Sequence, residues 1–386
     1  MIEDKNVLAI QCSNTQKEQY ALFCDDKGVY HGNDEECFVL LAVLDNISHS
    51  DQPIKIYYHF PYICVSERVG LHAAVVNIAD GRVQKFARED YHSDVSSYSV
   101  GFLERNGRVL LIHQTMWNRL DITDLETGEL LTPREVWMRD SGRKSEEGWP
   151  RFEYKNYLDY FHSLIHVSPD GKHFLSNGWV WQPYDNIMCF ETERFFKEYE
   201  LCGESIKYYR GYNWDRPCTF VGNAMFVIVA DKDEIIVEDG VREAELKEPP
   251  AYHQLLFYKL SEVKAQTYAY KGYENYGTLP LAYSGKGDCD VFAFNEYGEV
   301  SGELYYEPET EHLIVLSEKG AFELTLDGRI VYSDLSIKLT VSNKMIRRGN
   351  FRQVKHSDWM KNWQYDTLRQ WFYRCSNGGI EKRCIR

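Results

Sequence analysis

Ile165-His166-Val167-Ser168-Pro169-Asp170-Gly171-Lys172-His173-Phe174-Leu175-Ser176 runs on through Asn177-Gly178-Trp179-Val180-Trp181 to Ile187-Met188-Cys189-Phe190. It reads as a short apolar strand, a tight reversal and a second strand. A third strand follows Pro183-Tyr184-Asp185-Asn186. Pro169 fixes φ early in the reversal, Asp170 can bond its own backbone, and Gly171 supplies φ > 0 without a steric penalty. One hairpin of this kind says little, but repetition along a chain points to radially arranged sheets.

Repetition is what the neighbouring sequence shows. Residues 100–131 carry Gly101-Phe102-Leu103-Glu104, a turn at Asn106-Gly107, Val109-Leu110-Leu111-Ile112, Leu120-Asp121-Ile122, a turn at Thr127-Gly128 and Leu130-Leu131. Asn-Gly between apolar runs is a strong hairpin signal, because both central positions favour φ > 0. An offset of 64 residues places Gly107 on Gly171, Leu111 on Leu175, Trp117 on Trp181 and Asp121 on Asp185. Similarity at a fixed offset is the sequence signature of repeat architectures. Comparable units span residues 7–46, 54–86, 219–260 and 303–333, and residues 268–300 read as a degraded copy.

Ser168-Pro169-Asp170-Gly171-Lys172, with Asp80-Gly81-Arg82 and Glu126-Thr127-Gly128-Glu129, resembles the blades of WD40-like and related β-propellers. The resemblance covers roughly residues 7–345. It implies an all-β fold of about seven blades, each a four-stranded antiparallel meander of about 50 residues. The units are longer than true WD40 repeats, no Gly-His opens them, and none closes on Trp-Asp. Trp214-Asp215 is the one such dipeptide and lies in a connector. No functionally defined propeller family is therefore implied.

The chain has 386 residues, 44% hydrophobic and 27% charged, so it can build a substantial core. Its formal charge of −15 disfavours nucleic acid as a partner for the main body and favours a basic one. The ten cysteines are scattered through apolar runs with no Cys-x-x-Cys pair, which reads as buried reduced thiols in a cytoplasmic protein. Met1-Ile2-Glu3-Asp4-Lys5 does not open a signal peptide, and no 18-residue apolar run occurs, so neither secretion nor membrane spanning is expected. From about residue 344 the charge reverses: residues 344–386 carry a net +8 against −23 for the remainder. With Ser357 as a cap and Trp359, Trp363, Leu368, Trp371, Phe372 and Cys375 at near-helical spacing, this segment is expected to be a basic amphipathic helix or tail. Residues 1–343 would then be the propeller, with 344–386 packing on it or extending from it as a partner-docking element.

Catalytic signatures are sparse. No nucleophile elbow, P-loop, dinucleotide fingerprint or His-Glu-x-x-His occurs. His162 and His166 on one strand would lie about 13 Å apart, too far to share a metal. The reading calls for no metal and no cofactor. Long aromatic connectors are more informative, because loops on a rigid scaffold are where recognition usually lives, and Trp, Tyr and Arg anchor interfaces. Three stand out, contributing Trp137, Arg139, Trp149 and Arg151; Tyr208, Arg210, Tyr212, Trp214 and Asp215; and Tyr270 and Tyr273. The expected function is a non-enzymatic propeller that binds a protein partner, a basic one by charge, through these residues on one face. The alternative is a carbohydrate-active propeller, hydrolase or lyase, that stacks sugars on the same aromatics beside carboxylates at the channel mouth.

Overall fold

A computed structural model describes residues 5–16, 19–33, 38–49, 53–146, 148–181, 184–206, 208–209, 213–230, 235–236, 254–262, 281–285, 291–294, 299–340, 362–376 and 379–385. Blade 1 is β1 (Val7–Cys12), β2 (Tyr20–Cys24), β3 (Gly28–Gly32) and β4 (Val39–Val43); blade 2 is β5 (Ile54–His59), β6 (Tyr62–Glu67), β7 (His72–Asn77) and β8 (Val83–Ala87). Blade 3 is β9 (Val100–Arg105), β10 (Arg108–Met116) and β11 (Arg119–Asp124), with a bridge from Thr123 to Leu130 in place of a full fourth strand. A two-stranded hairpin, β12 (Trp137–Lys144) and β13 (Pro150–Lys155), follows. Blade 4 is β14 (Phe161–Val167), β15 (His173–Val180), β16 (Tyr184–Glu191) and, after helix α1 (Thr192–Glu198), β17 (Glu204–Ile206).

Next, β18 (Tyr208–Tyr209) pairs with β21 (Ile235–Ile236) outside blade 5, which is β19 (Cys218–Val221), β20 (Met225–Ala230), β22 (Gln254–Lys259) and β23 (Leu281–Gly285). A small hairpin of β24 (Ala293–Phe294) and β25 (Val300–Ser301) leads to blade 6: β26 (Glu303–Glu307), β27 (His312–Leu316), β28 (Ala321–Leu324) and β29 (Ile330–Asp334). Blade 7 is β30 (Gln364–Asp366), β31 (Trp371–Ser376) and β32 (Gly379–Cys384).

The period of a strand explains how these sheets become a ring. Successive side chains point to opposite faces, so Phe174 of β15 packs toward blade 3 with Leu103, Ile112 and Ile122, while Leu175 packs toward blade 5 with Phe226 and Ile228. Both faces of the strand are covered, and it reads as an apolar run rather than an alternation. The described core divides into seven clusters, one for each pair of neighbouring blades, and the last joins Val7, Leu22 and Tyr30 of blade 1 to Tyr373 of blade 7.

The ring closes without interleaving the chain ends among the described residues: β1 is the innermost strand of blade 1, and blade 7 comes wholly from the C-terminal segment. Polar contacts fasten the junction. Gln364 Nε2 donates to the Ile10 carbonyl at 2.8 Å, Cys12 N–H donates to the Tyr373 hydroxyl at 3.1 Å, and that hydroxyl donates to Gln364 Oε1 at 2.7 Å.

Three expectations need correction. Gln364–Asp366, Trp371–Ser376 and Gly379–Cys384 are strands, not parts of a basic amphipathic helix. Trp363 and Tyr365 are buried two apart, and Phe372 and Tyr373 are buried on β31; a turn closed by Asp366 O, with Gln370 at φ +61, brings Leu368, Trp371, Phe372 and Cys375 to a spacing that only mimics a helix. Ser357, Asp358 and Trp359 lie outside the described residues. The described parts of the expected degraded copy at 268–300 do not make a blade of their own: residues 281–285 are the outer strand of blade 5, Ala293–Phe294 pair with Val300–Ser301, and 268–280, 286–290 and 295–298 lie outside the described residues. Blades 3 and 7 also hold three named strands rather than four.

Eight of the cysteines are described as free thiols, six of them buried, while Cys37 and Cys289 lie outside the described residues. No helix among the described residues is long and apolar enough to cross a membrane.

Candidate functional site: an aromatic face and a central channel

In a meander that starts at the channel, the first and third reversals fall on one face of the ring. The second reversal and the link to the next blade fall on the other. The tight Gly turns at Asn106-Gly107, Asp170-Gly171, Asp80-Gly81 and Thr127-Gly128 all belong to the first set. Opposite them emerge the 88–99 link, the Trp117 turn, the 156–160 link, the Trp181 turn and the 213–217 link, from blades 2, 3 and 4. Their rings meet.

Trp214 stacks on Trp179 (centroids 4.7 Å apart, planes 11° apart), Trp179 on Phe161 (3.6 Å, 5°), and Phe161 on Trp117 (4.3 Å, 35°). Tyr91, half-exposed, lies 5.9 Å from Phe161, and His92 and Trp181 stand edge-on to the stack. Such offset and edge-on pairs each add roughly 0.5–1.5 kcal/mol beyond their burial. Trp117 continues through Tyr157 to Tyr154 on β13, so the network runs from Trp214 to the stem of the exposed hairpin.

Buried polar staples hold these loops. Arg88 donates to the carbonyls of Gly70, Ser93 and Ser96 (2.7–2.8 Å) and to Gln114 Oε1 (2.6 Å), fixing the loop that carries Tyr91 and His92; burial pushes its guanidinium down to about 10. Trp179 Nε1 donates to Ser96 Oγ at 3.0 Å. The repeat-related aspartates do the same work in adjacent blades. Asp185 is held by Arg216 at 2.7 Å with both side chains fully buried, and Asp121 takes Arg119 and Arg134 at 2.9–3.0 Å. The Arg216–Asp185 and Arg134–Asp121 pairs tie the link that leaves each blade back to that blade's third strand, while Arg119 pairs with Asp121 along β11 itself.

The sequence-predicted residues divide accordingly. Trp149 is exposed at the hairpin tip, Arg151 is exposed beside it, and Arg139 lies over the Trp137 ring at 4.4 Å while pairing with Glu153 at 2.7 Å. Trp214 is a partly buried end of the ring stack. Asp215 is buried below it, accepting from Ser163 Oγ at 3.1 Å and Ser97 Oγ at 3.2 Å, with Arg68 at 3.8 Å. It therefore braces its own link against the 88–99 link, strand β14 and the β6–β7 turn. Tyr208 lies on β18, paired with Ile236; Arg210, Tyr212, Tyr270 and Tyr273 lie outside the described residues. Tyr91, His92, Trp117, Phe161 and Trp181 were not singled out as site residues from sequence, although the face to which each reversal belongs would have grouped them.

The seven innermost strands enclose a channel with a cavity of about 450 Å³. Lys55, Arg68, His166, Asp215, Glu303 and Tyr305 are among its lining residues.

Similarity to solved structures is confined to fold. The chain is similar to the β-propeller domain of Myceliophteria thermophila Cps50 (Swd1), with TM-score 0.52, 10% identity and coverage of 98% of both chains. It is a seven-bladed β-propeller. The WD40 domain of Neurospora crassa Pan2 is also similar, at TM-score 0.48 and 8% identity, covering 98% of this chain and 88% of that one. No family model matches the propeller, and no curated protein matches it.

Proposed function

We propose that this propeller is a non-enzymatic binding module that engages a protein partner through the aromatic face of blades 2 to 4, with the β12–β13 hairpin as a second arm. The observation that carries this reading is the convergence of rings from five separate reversals into one network, with Tyr91 and Trp181 exposed at its surface. Large, rigid aromatics backed by a packed scaffold are what interface anchors are made of. The formal charge of −15 favours a basic partner. A carbohydrate-active reading finds no support among the described channel carboxylates: Asp215 is committed to Ser97, Ser163 and Arg68, and Glu303 accepts from the Tyr305 hydroxyl.

The test is cross-linking in cells of origin, comparing the parent chain with Tyr91→Ala/Trp181→Ala and with an opposite-face control, Lys172→Ala. The double variant is expected to lose a stoichiometric cross-linked protein that the control retains. Retention by the double variant would overturn the assignment of this face.

A further inference from the structure

The central channel holds a lysine ammonium and a neutral imidazole whose needs the described residues do not meet. Lys55, near the start of β5, points into the cavity. Among the described residues its ammonium makes no hydrogen bond or ion pair, and its contact is the face of Tyr57 at 5.2 Å. Burial, reinforced by Arg68, pushes it down to about 8, against the pull of Glu303 and Asp215. Across the cavity His166 Nε2 is buried without a partner, and burial followed by the charge of Lys55 pushes that imidazole down to about 4. The carboxylates sharing the space are already engaged: Glu303 by the Tyr305 hydroxyl, Asp215 by two serine hydroxyls. A desolvated cation without a counter-charge is unfavourable, and a buried donor without an acceptor forfeits a hydrogen bond. One acceptor-rich, negatively charged group would answer both.

We infer that the channel is a binding site for an oxyanion, a phosphate or carboxylate group, seated on the Lys55 ammonium with Arg68 beside it and His166 donating from Nε2. The cavity has the volume of an ordinary small-ligand site. The inference stands apart from the aromatic face, since neither Lys55 nor His166 belongs to that network.

The experiment is acetylation of the purified full chain at pH 8, read residue by residue by mass spectrometry, with exposed Lys172 as internal reference. It is run with and without inorganic phosphate, succinate or a phosphoserine peptide, at ionic strength held constant with chloride. Bound oxyanion is expected to slow Lys55 acetylation relative to Lys172 by about threefold or more at concentrations of about twice its Kd and above. The same anion is expected to raise the melting temperature of the parent chain but not of Lys55→Met, whose near-isosteric side chain removes the charge alone. Protection by free phosphate or succinate assigns a free ion; protection by the peptide alone assigns a group carried by a partner, and both support the site. Unchanged Lys55 labelling with every anion overturns it. So does a melting shift that survives in Lys55→Met. If that variant does not fold, the labelling of the parent chain decides alone.

Discussion

Gly178 is the position where one added carbon meets the most. A Cβ there would lie 2.0 Å from the Phe161 carbonyl oxygen and 2.7 Å from the Tyr160 hydroxyl, which itself receives the Gly178 N–H at 2.9 Å. Gly178→Ala is expected to destabilise the protein by more than about 3 kcal/mol, as overpacking and a broken buried hydrogen bond combine. Gly107 at φ +74 has open space around it, so Gly107→Ala carries only backbone strain, roughly 1–2 kcal/mol. Urea denaturation of the two variants checks the order.

Buried histidines set a pH dependence. Burial pushes His113 down to about 4 and His162 down to about 3, from an ordinary value of 6.5. As pH falls below about 6.5 the unfolded chain takes up protons that the folded one refuses. Stability from these groups is therefore lost progressively toward pH 4 and regained as pH rises. His162→Asn should flatten that slope in urea midpoints measured from pH 7 to 4.5, and an unaltered slope would remove His162 from the account.

Among elements, the β12–β13 hairpin is the most separable. Its side chains are largely exposed, and Met138 pairs with Tyr154 at its stem. Replacing residues 139–153 with Asn-Gly leaves a two-residue loop of the favoured type. The melting temperature is expected to stay within about 3 °C of the parent, while cross-linking to the partner weakens. Trp149→Ala should likewise leave stability untouched, being 70% exposed. Trp214→Ala is a different experiment, since it removes one end of the ring stack over Trp179 and is expected to cost about 3 kcal/mol in stability.

The C-terminal strands show why spacing alone misled. Leu368, Trp371, Phe372 and Cys375 sit across a turn and a strand, and only the partners of β31 reveal a period of two. Their positive charges are absorbed locally, with Arg374 paired to Glu381 at 2.7 Å and laid over Trp363 at 4.4 Å.

At the scale of the whole molecule, the ring depends on its last blade. Residues 362–385 fill two of the seven inter-blade clusters, against blade 6 through Trp363 and Phe372 and against blade 1 through Tyr373. Removing residues 362–386 exposes both and is expected to abolish cooperative unfolding in thermal melts. Tyr373→Phe tests the seam more gently. It deletes the hydroxyl that bridges Cys12 N and Gln364 Oε1 and should cost about 1–3 kcal/mol.

What the amino-acid order determined by itself was local: the hairpin turns at Asn106-Gly107 and Pro169-Asp170-Gly171, the apolar strands between them, and the 64-residue echo that aligns Asp121 with Asp185. These are legible because turn chemistry and strand period act over a few residues. Which segment completes the ring, which tryptophans stack and which aspartate is buried were decided only in three dimensions. Trp214 finds Trp179 and Gln364 finds Ile10 across long stretches of chain, and such contacts are selected by packing after the strands have formed.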